Sequence, residues 1–88
     1  MARMSDLEVV HQPDQDRFMT VVDGWTAVLT YDLTPGGVAM THTIVPSEIG
    51  GRGVAGELTR AAVAWARGEQ REIDPRCSYV RSWLARHS

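Results

Sequence analysis

The sequence predicts an α+β domain in which four strands come first and a helix, a fifth strand and a second helix follow. Two observations predict this order. Turn residues divide the first half into short runs that suit strands, and after residue 53 the apolar residues recur at helical spacing. A chain of 88 residues can bury one modest core. We therefore expect a single domain over residues 1–88.

The composition is typical of a globular protein and excludes several other classes. With 43% hydrophobic and 23% charged residues, disorder is not expected. No apolar run is long enough for a signal peptide or a membrane span, so we expect a cytoplasmic protein without a membrane partner. Cys77 is the only cysteine, which excludes an internal disulfide and a cysteine-based zinc cluster. No metal is predicted.

Charge is distributed unevenly along the chain, although the net charge is only −2. Residues 49–88 carry seven arginines and four acidic residues, against two arginines and seven acidic residues in residues 1–48, and the chain has no lysine. The basic half suits an anionic small ligand, but arginines on a solvated helix face explain it equally well. No nucleic-acid partner is predicted.

Four strands are predicted before residue 46. The dipeptide Asp23-Gly24 between two of them is a strong signal for a tight hairpin turn. Every connection is too short for a crossover helix, so we expect an antiparallel meander. The strands are predicted over residues 7–12, 17–22, 25–33 and 38–45.

Two helices and a fifth strand are predicted after the glycine-rich segment. An amphipathic helix of about four turns is indicated by apolar residues at helical spacing, namely Val54, Leu58, Ala61, Ala62 and Trp65. Residues 72–77 are predicted as a short extended segment, which Pro75 would confine to a sheet edge or to a place where the ladder is interrupted. Residues 78–88 form the second helix, with Ser78 as its expected N-cap.

The segment "GGRGVAG" (50–56) joins the last strand of the meander to the first helix and suits an anion. Glycines allow a phosphate to approach the backbone, and the helix N-terminus adds free N–H groups. The same segment also fits a tight turn that binds nothing. A dinucleotide site is a third interpretation, because the glycines spell G-x-G-x-x-G and Asp74 lies near the position of a ribose-binding acid. The predicted antiparallel hairpins contradict the dinucleotide interpretation, because that fold builds a parallel βαβ sheet.

The order of elements resembles the GNAT superfamily of acetyl-CoA-dependent N-acetyltransferases. Its fourth strand leads into a loop of the form Q/R-x-x-G-x-G/A, and residues 50–55 match it at Gly53 and Ala55, with Gly50 where Gln or Arg is usual. The match is closer to a subfamily of very small single-domain proteins, carried by residues 42–46, 51–67 and 75–87. That subfamily lacks the two helices between strands one and two, and "PDQD" leaves no room for them.

The resemblance implies a GNAT-like sheet whose fifth strand is parallel to the fourth, with a splayed gap for the pantetheine arm of acetyl-CoA. It also implies transfer of the acetyl group to an amine, and the short first connection favours an extended or macromolecular acceptor such as a protein. The alternative is an acyl-CoA-binding module with little or no transfer activity. The oligomeric state is not predicted. The expected cofactor-binding residues are Val45, Gly51, Arg52, Gly53, Val54, Ala55 and Gly56.

Three side chains are candidates for catalysis. His42 lies on the predicted core face of its strand together with Val38, Met40 and Ile44, where it is either a general base or a buried structural histidine. Cys77 precedes a helix N-terminus, close to where the resemblance places the thioester, and is otherwise a packing residue. Tyr79 matches a family tyrosine that protonates the leaving CoA thiolate, and is otherwise a packing aromatic.

Overall fold

A computed structural model describes residues 7–87 and shows one five-stranded sheet with two α-helices. The strands are adjacent in chain order. All neighbouring pairs are antiparallel except β4 and β5, which are parallel. This confirms the predicted α+β order. The elements are β1 (Val10–Gln12), β2 (Arg17–Val22), β3 (Trp25–Thr34), β4 (Gly37–Ile44), α1 (Val54–Gly68), β5 (Glu72–Pro75) and α2 (Ser78–Arg86).

The first two connections are as short as the sequence predicts. Between β1 and β2 the chain makes one turn of 3-10 helix over Pro13–Gln15, followed by Asp16 at φ 52°. Between β2 and β3, Asp23 and Gly24 both have positive φ, as a two-residue hairpin turn requires. Strand β1 begins at Val10 rather than at the predicted residue 7. The preceding Leu7 and Val9 pack against the core without joining the ladder.

Both helices contribute to a single core on one face of the sheet. The strands contribute Leu29 and Met40, and each helix adds buried aliphatic side chains such as Leu58 of α1 and Val80 of α2. Apolar side chains that alternate to the other face remain exposed, for example Ile44, 57% exposed. Among residues 7–87, no helix is long and apolar enough to cross a membrane.

A β-bulge in β4 changes the direction of its side chains. Thr30 pairs with His42 and Tyr31 pairs with Met40, so Thr41 is an extra residue on β4. Because of this insertion, Met40 is fully buried while His42 is exposed on the opposite face. The prediction that His42 and Ile44 share the core face with Met40 is therefore wrong, and so is the alternative of a buried structural histidine.

An aromatic cluster forms where the first three strands pack against α1. His11 of β1 is half-buried: its ring stacks on Phe18 at 4.1 Å, and its Nε2 lies 2.7 Å from the Tyr31 hydroxyl. Trp65 of α1 completes the cluster, with its ring 4.9 Å from that of His11.

Candidate functional site

A gap opens between β4 and the segment that follows β5. The parallel pairing covers only Gly37–Met40 against Glu72–Pro75, whereas β4 continues to Ile44. The last backbone link across the pair is the N–H of Cys77, which donates to the carbonyl oxygen of Met40 at 2.9 Å. Beyond it, the second half of β4 pairs with β3 alone. This arrangement confirms the splayed gap that the family resemblance implies.

The glycine segment runs from the end of β4 to the start of α1 in a conformation that requires glycine. Gly51 and Gly53 have φ of 77° and 78°, values that side chains with a Cβ rarely adopt. The segment is anchored by Ile49, which is fully buried at the end of the 3-10 turn Ser47–Ile49. Gly53 is the N-cap of α1, and no side chain caps this end within the described residues. The first-turn N–H groups therefore remain available to an anion.

A cavity of about 250 Å³ lies between the glycine segment, the end of β4 and the start of α2. Five predicted cofactor-binding residues line it together with Tyr79, which was predicted to be catalytic. Ile49 and Gly50 also line it and were not predicted, although an apolar residue between a strand and a run of glycines is a signal for an anchor. A cavity of this size encloses only part of a long ligand. The lining residues are Val45, Ile49, Gly50, Gly51, Gly53, Val54, Ala55 and Tyr79.

Tyr79 reaches across to the first turn of α1. A Cβ placed on Gly56 would lie 3.3 Å from the Tyr79 hydroxyl, which is a tight contact. Gly56 does not line the cavity. Its lack of a side chain instead allows Tyr79 to lie against the helix.

Arg52 lies outside the cavity lining and makes a different contact. Its Nη1 donates to Asp23 Oδ2 at 2.6 Å, and the two side chains are 44% and 67% exposed. Asp23 belongs to the hairpin turn between β2 and β3, so this turn lies beside the glycine segment. The sequence gives no signal for this pair because the residues are 29 positions apart.

Cys77 is half-buried at the gap and is the N-cap of α2, so the prediction of Ser78 as the N-cap is wrong. Its thiol donates to the Thr43 hydroxyl oxygen at 3.4 Å. Burial raises the pKa of Cys77, but hydrogen bonding to Thr43 and the nearby backbone groups of Val80 and Tyr79 outweigh it, so the pKa lies below its ordinary value. Thr43 was not predicted; its contact depends on the bulge that turns it towards the core.

The structure does not bring His42 together with Cys77 and Tyr79. Thr43 pairs with the buried Leu29, whereas His42 pairs with Thr30 on the other face. Within residues 7–87, no group of three or more histidine, cysteine or acidic side chains is arranged to hold a metal ion. Of the three side chains predicted to be catalytic, Cys77 and Tyr79 therefore lie at the gap, and His42 does not.

Comparisons with known proteins agree with this architecture. The model of the GCN5-related N-acetyltransferase family matches residues 17–88, and the chain therefore belongs to that family. The chain is similar to a GCN5-like N-acetyltransferase candidate from Staphylococcus aureus, solved by NMR in solution. The TM-score is 0.70 at 30% identity, over 96% of this chain and 83% of that one. No curated protein matches the chain significantly.

Proposed function

We propose that this protein binds acetyl-CoA in the gap between β4 and β5 and transfers the acetyl group to an amine. The cavity that the glycine segment shares with Val45 and Tyr79 supports the proposal, because it lies between the uncapped start of α1 and the gap. Membership of the GCN5-related family supports the same ligand. The free thiol of Cys77 suits a reducing compartment such as the cytoplasm.

The glycine segment would hold the pyrophosphate of acetyl-CoA. A Cβ on Gly51 meets no atom within 4 Å, so the space beside it is open. The N–H groups of Val54 and Ala55, in the first turn of α1, add the positive end of the helix dipole. The apolar lining provided by Val45 and Ile49 suits the pantetheine arm that continues towards the gap.

The chemistry needs a fixed thioester, a stabilised oxyanion and a proton for the leaving thiolate. Acetyl-CoA supplies the thioester: the amine nitrogen forms a bond to the carbonyl carbon, the bond from carbon to sulfur breaks, and the nitrogen loses a proton to solvent water. The backbone N–H of Val45 would stabilise the developing oxyanion. The Tyr79 hydroxyl or the Cys77 thiol would protonate the sulfur. We do not include His42 in this site, because it lies on the opposite face of the sheet.

The acceptor is expected to be an extended or macromolecular amine, such as a protein N-terminus or lysine. In the described chain, β1 and β2 are joined by a single 3-10 turn, Pro13–Gln15, and no helix lies between them. No helical lip is therefore present there to enclose a small substrate.

One observation favours an acyl-CoA-binding module with little transfer activity. Strand β4 has no carboxylate along Gly37–Ile44, so a general base is missing from the strand that lines the gap. Binding and transfer are therefore tested separately. Release of free CoA thiol from acetyl-CoA in the presence of a peptide amine distinguishes the transferase from the binding module.

Binding is tested by calorimetric titration with acetyl-CoA, CoA and NADH, together with melting curves. At a hundredfold excess over Kd, acetyl-CoA stabilises the fold by about 2.7 kcal/mol, and each kcal/mol raises Tm by roughly 4–8 °C in a domain of this size. Gly53→Val should abolish the shift. Gly68→Val, at the end of α1 where a Cβ meets nothing within 4 Å, is the matched control and should keep it. A shift with NADH alone would contradict the proposal.

A further inference from the structure

The ion pair between Arg52 and Asp23 connects the glycine segment to a turn that no step of the proposed reaction uses. Arg52 is the only basic residue between Val45 and Gly56. It lies between two glycines with positive φ, next to the cavity, yet its Nη1 is bonded to Asp23 at 2.6 Å. The side chain best placed to meet a phosphate is therefore already bound to a carboxylate.

A guanidinium binds carboxylate and phosphate oxygens through the same N–H donors. While the donor on Nη1 is directed to Asp23, it is not available to a phosphate. Both side chains are well exposed, so their pair is weak and can exchange its anion at little cost. A second effect acts in the same direction, since the Asp23 carboxylate repels an anionic ligand that approaches the segment.

We propose that Asp23 competes with the phosphate groups of acetyl-CoA for Arg52 and thereby lowers the affinity of the site for CoA ligands. This inference rests on the proposed function. The role proposed for Asp23 is not catalytic, because its carboxylate acts on the ligand through its ion pair with Arg52 and through its charge. It holds the arginine at the edge of the site until a phosphate replaces the carboxylate.

The test uses four variants of the full chain, each titrated with CoA and acetyl-CoA at low and high salt. Asp23→Asn removes the charge and preserves the turn, since Asn tolerates the φ of 51° and is favoured before glycine. Asp14→Asn is the matched control: it makes the same change in net charge at an exposed site in the connection between β1 and β2. Arg52→Ala and the double variant Asp23→Asn/Arg52→Ala complete a cycle.

The expected result is that Asp23→Asn lowers Kd by about two- to fivefold at low salt, and that the gain shrinks at high salt. Asp14→Asn should leave Kd unchanged, and the gain should fall substantially in the Arg52→Ala background, where only the repulsion remains. An unchanged or higher Kd for Asp23→Asn, or an equal gain without Arg52, overturns the inference. A parent protein that binds no acetyl-CoA overturns the proposed function itself and, with it, this inference.

Discussion

The sulfur of Cys77 lies where β5 leaves β4, and the absence of lysine makes its reactivity simple to measure. Apart from the N-terminal amine and three histidines, whose acyl adducts hydrolyse readily in water, the chain has no other side chain that a thioester acylates easily near neutral pH. If the thiol faces the thioester as a thiolate, exchange transfers the acetyl group to sulfur and releases CoA. We expect intact-mass spectrometry after incubation with acetyl-CoA to show one acetyl group that hydroxylamine removes.

The variant Cys77→Ala separates the roles of this residue. If Cys77→Ala loses the adduct and transfers acetyl more slowly while its affinity for CoA is unchanged, Cys77 lies beside the thioester. Slower transfer without any adduct on the parent assigns Cys77 as the acid for the leaving thiolate. A parent without an adduct and an alanine variant with normal transfer would show that Cys77 only packs.

The acidity of this thiol depends on Thr43. Because the hydrogen bond to Thr43 lowers the pKa of Cys77, Thr43→Val should raise that pKa. The pH profile of alkylation by iodoacetamide should then move to higher pH, since the thiolate is the reacting form. Thr41→Val is the matched control, because the Thr41 hydroxyl bonds Thr30 instead, at 2.8 Å. Equal profiles for the parent and Thr43→Val would contradict this role.

The local parts of the candidate site could be predicted from the sequence, and the long-range parts could not. The glycine segment could be located because it comes directly before a helix, and Tyr79 because the contiguous residues 75–87 resemble a family motif. His42 was assigned to the wrong face because one extra residue, Thr41, reverses the alternation of β4 without changing its composition. Asp23 and Thr43 make their contacts only after distant segments have folded together.

At the scale of elements, periodicity and turn residues located almost every helix and strand. Asp23-Gly24 predicted the hairpin where two consecutive residues have positive φ, and the change of period at the glycines predicted α1. The start of β1 was misplaced, because Leu7 and Val9 pack on the core without a ladder partner. An apolar residue can thus pack on the core without belonging to a strand. Alternation of apolar residues does not distinguish such packing from strand pairing.

The contact between α1 and α2 at Gly56 can be tested with two substitutions. Alanine is more favourable than glycine within a helix by about 0.5–1 kcal/mol, but a Cβ here lies 3.3 Å from the Tyr79 hydroxyl. Gly56→Ala should therefore stabilise the protein more in a Tyr79→Phe background than in the parent, as measured by urea unfolding. Equal effects in both backgrounds would mean that Tyr79 moves away freely.

At the scale of the whole molecule, the cluster around His11 makes stability depend on pH. Burial lowers the pKa of His11, and Glu69 only partly opposes this. As pH falls below about 6.5, the His11 imidazole binds a proton in the unfolded chain, whereas in the folded protein it binds that proton only at lower pH. The free energy of unfolding therefore decreases. Tm measured from pH 7.5 to 5 should fall less steeply for His11→Gln than for the parent. An equally steep fall for His11→Gln and the parent would contradict this role of His11.

The acceptor that we propose depends on the architecture as a whole rather than on any one side chain. Both helices lie on one face of the sheet, and the connection Pro13–Gln15 between β1 and β2 is too short to add a helix that could enclose a small amine. If the proposed function is correct, a peptide or protein amine would gain contacts along the open surface that lower the transition-state energy relative to free substrate. We expect kcat/KM for a peptide amine to exceed that for a polyamine by at least tenfold, or about 1.4 kcal/mol. Efficient turnover of the polyamine with a low KM would contradict an open acceptor side.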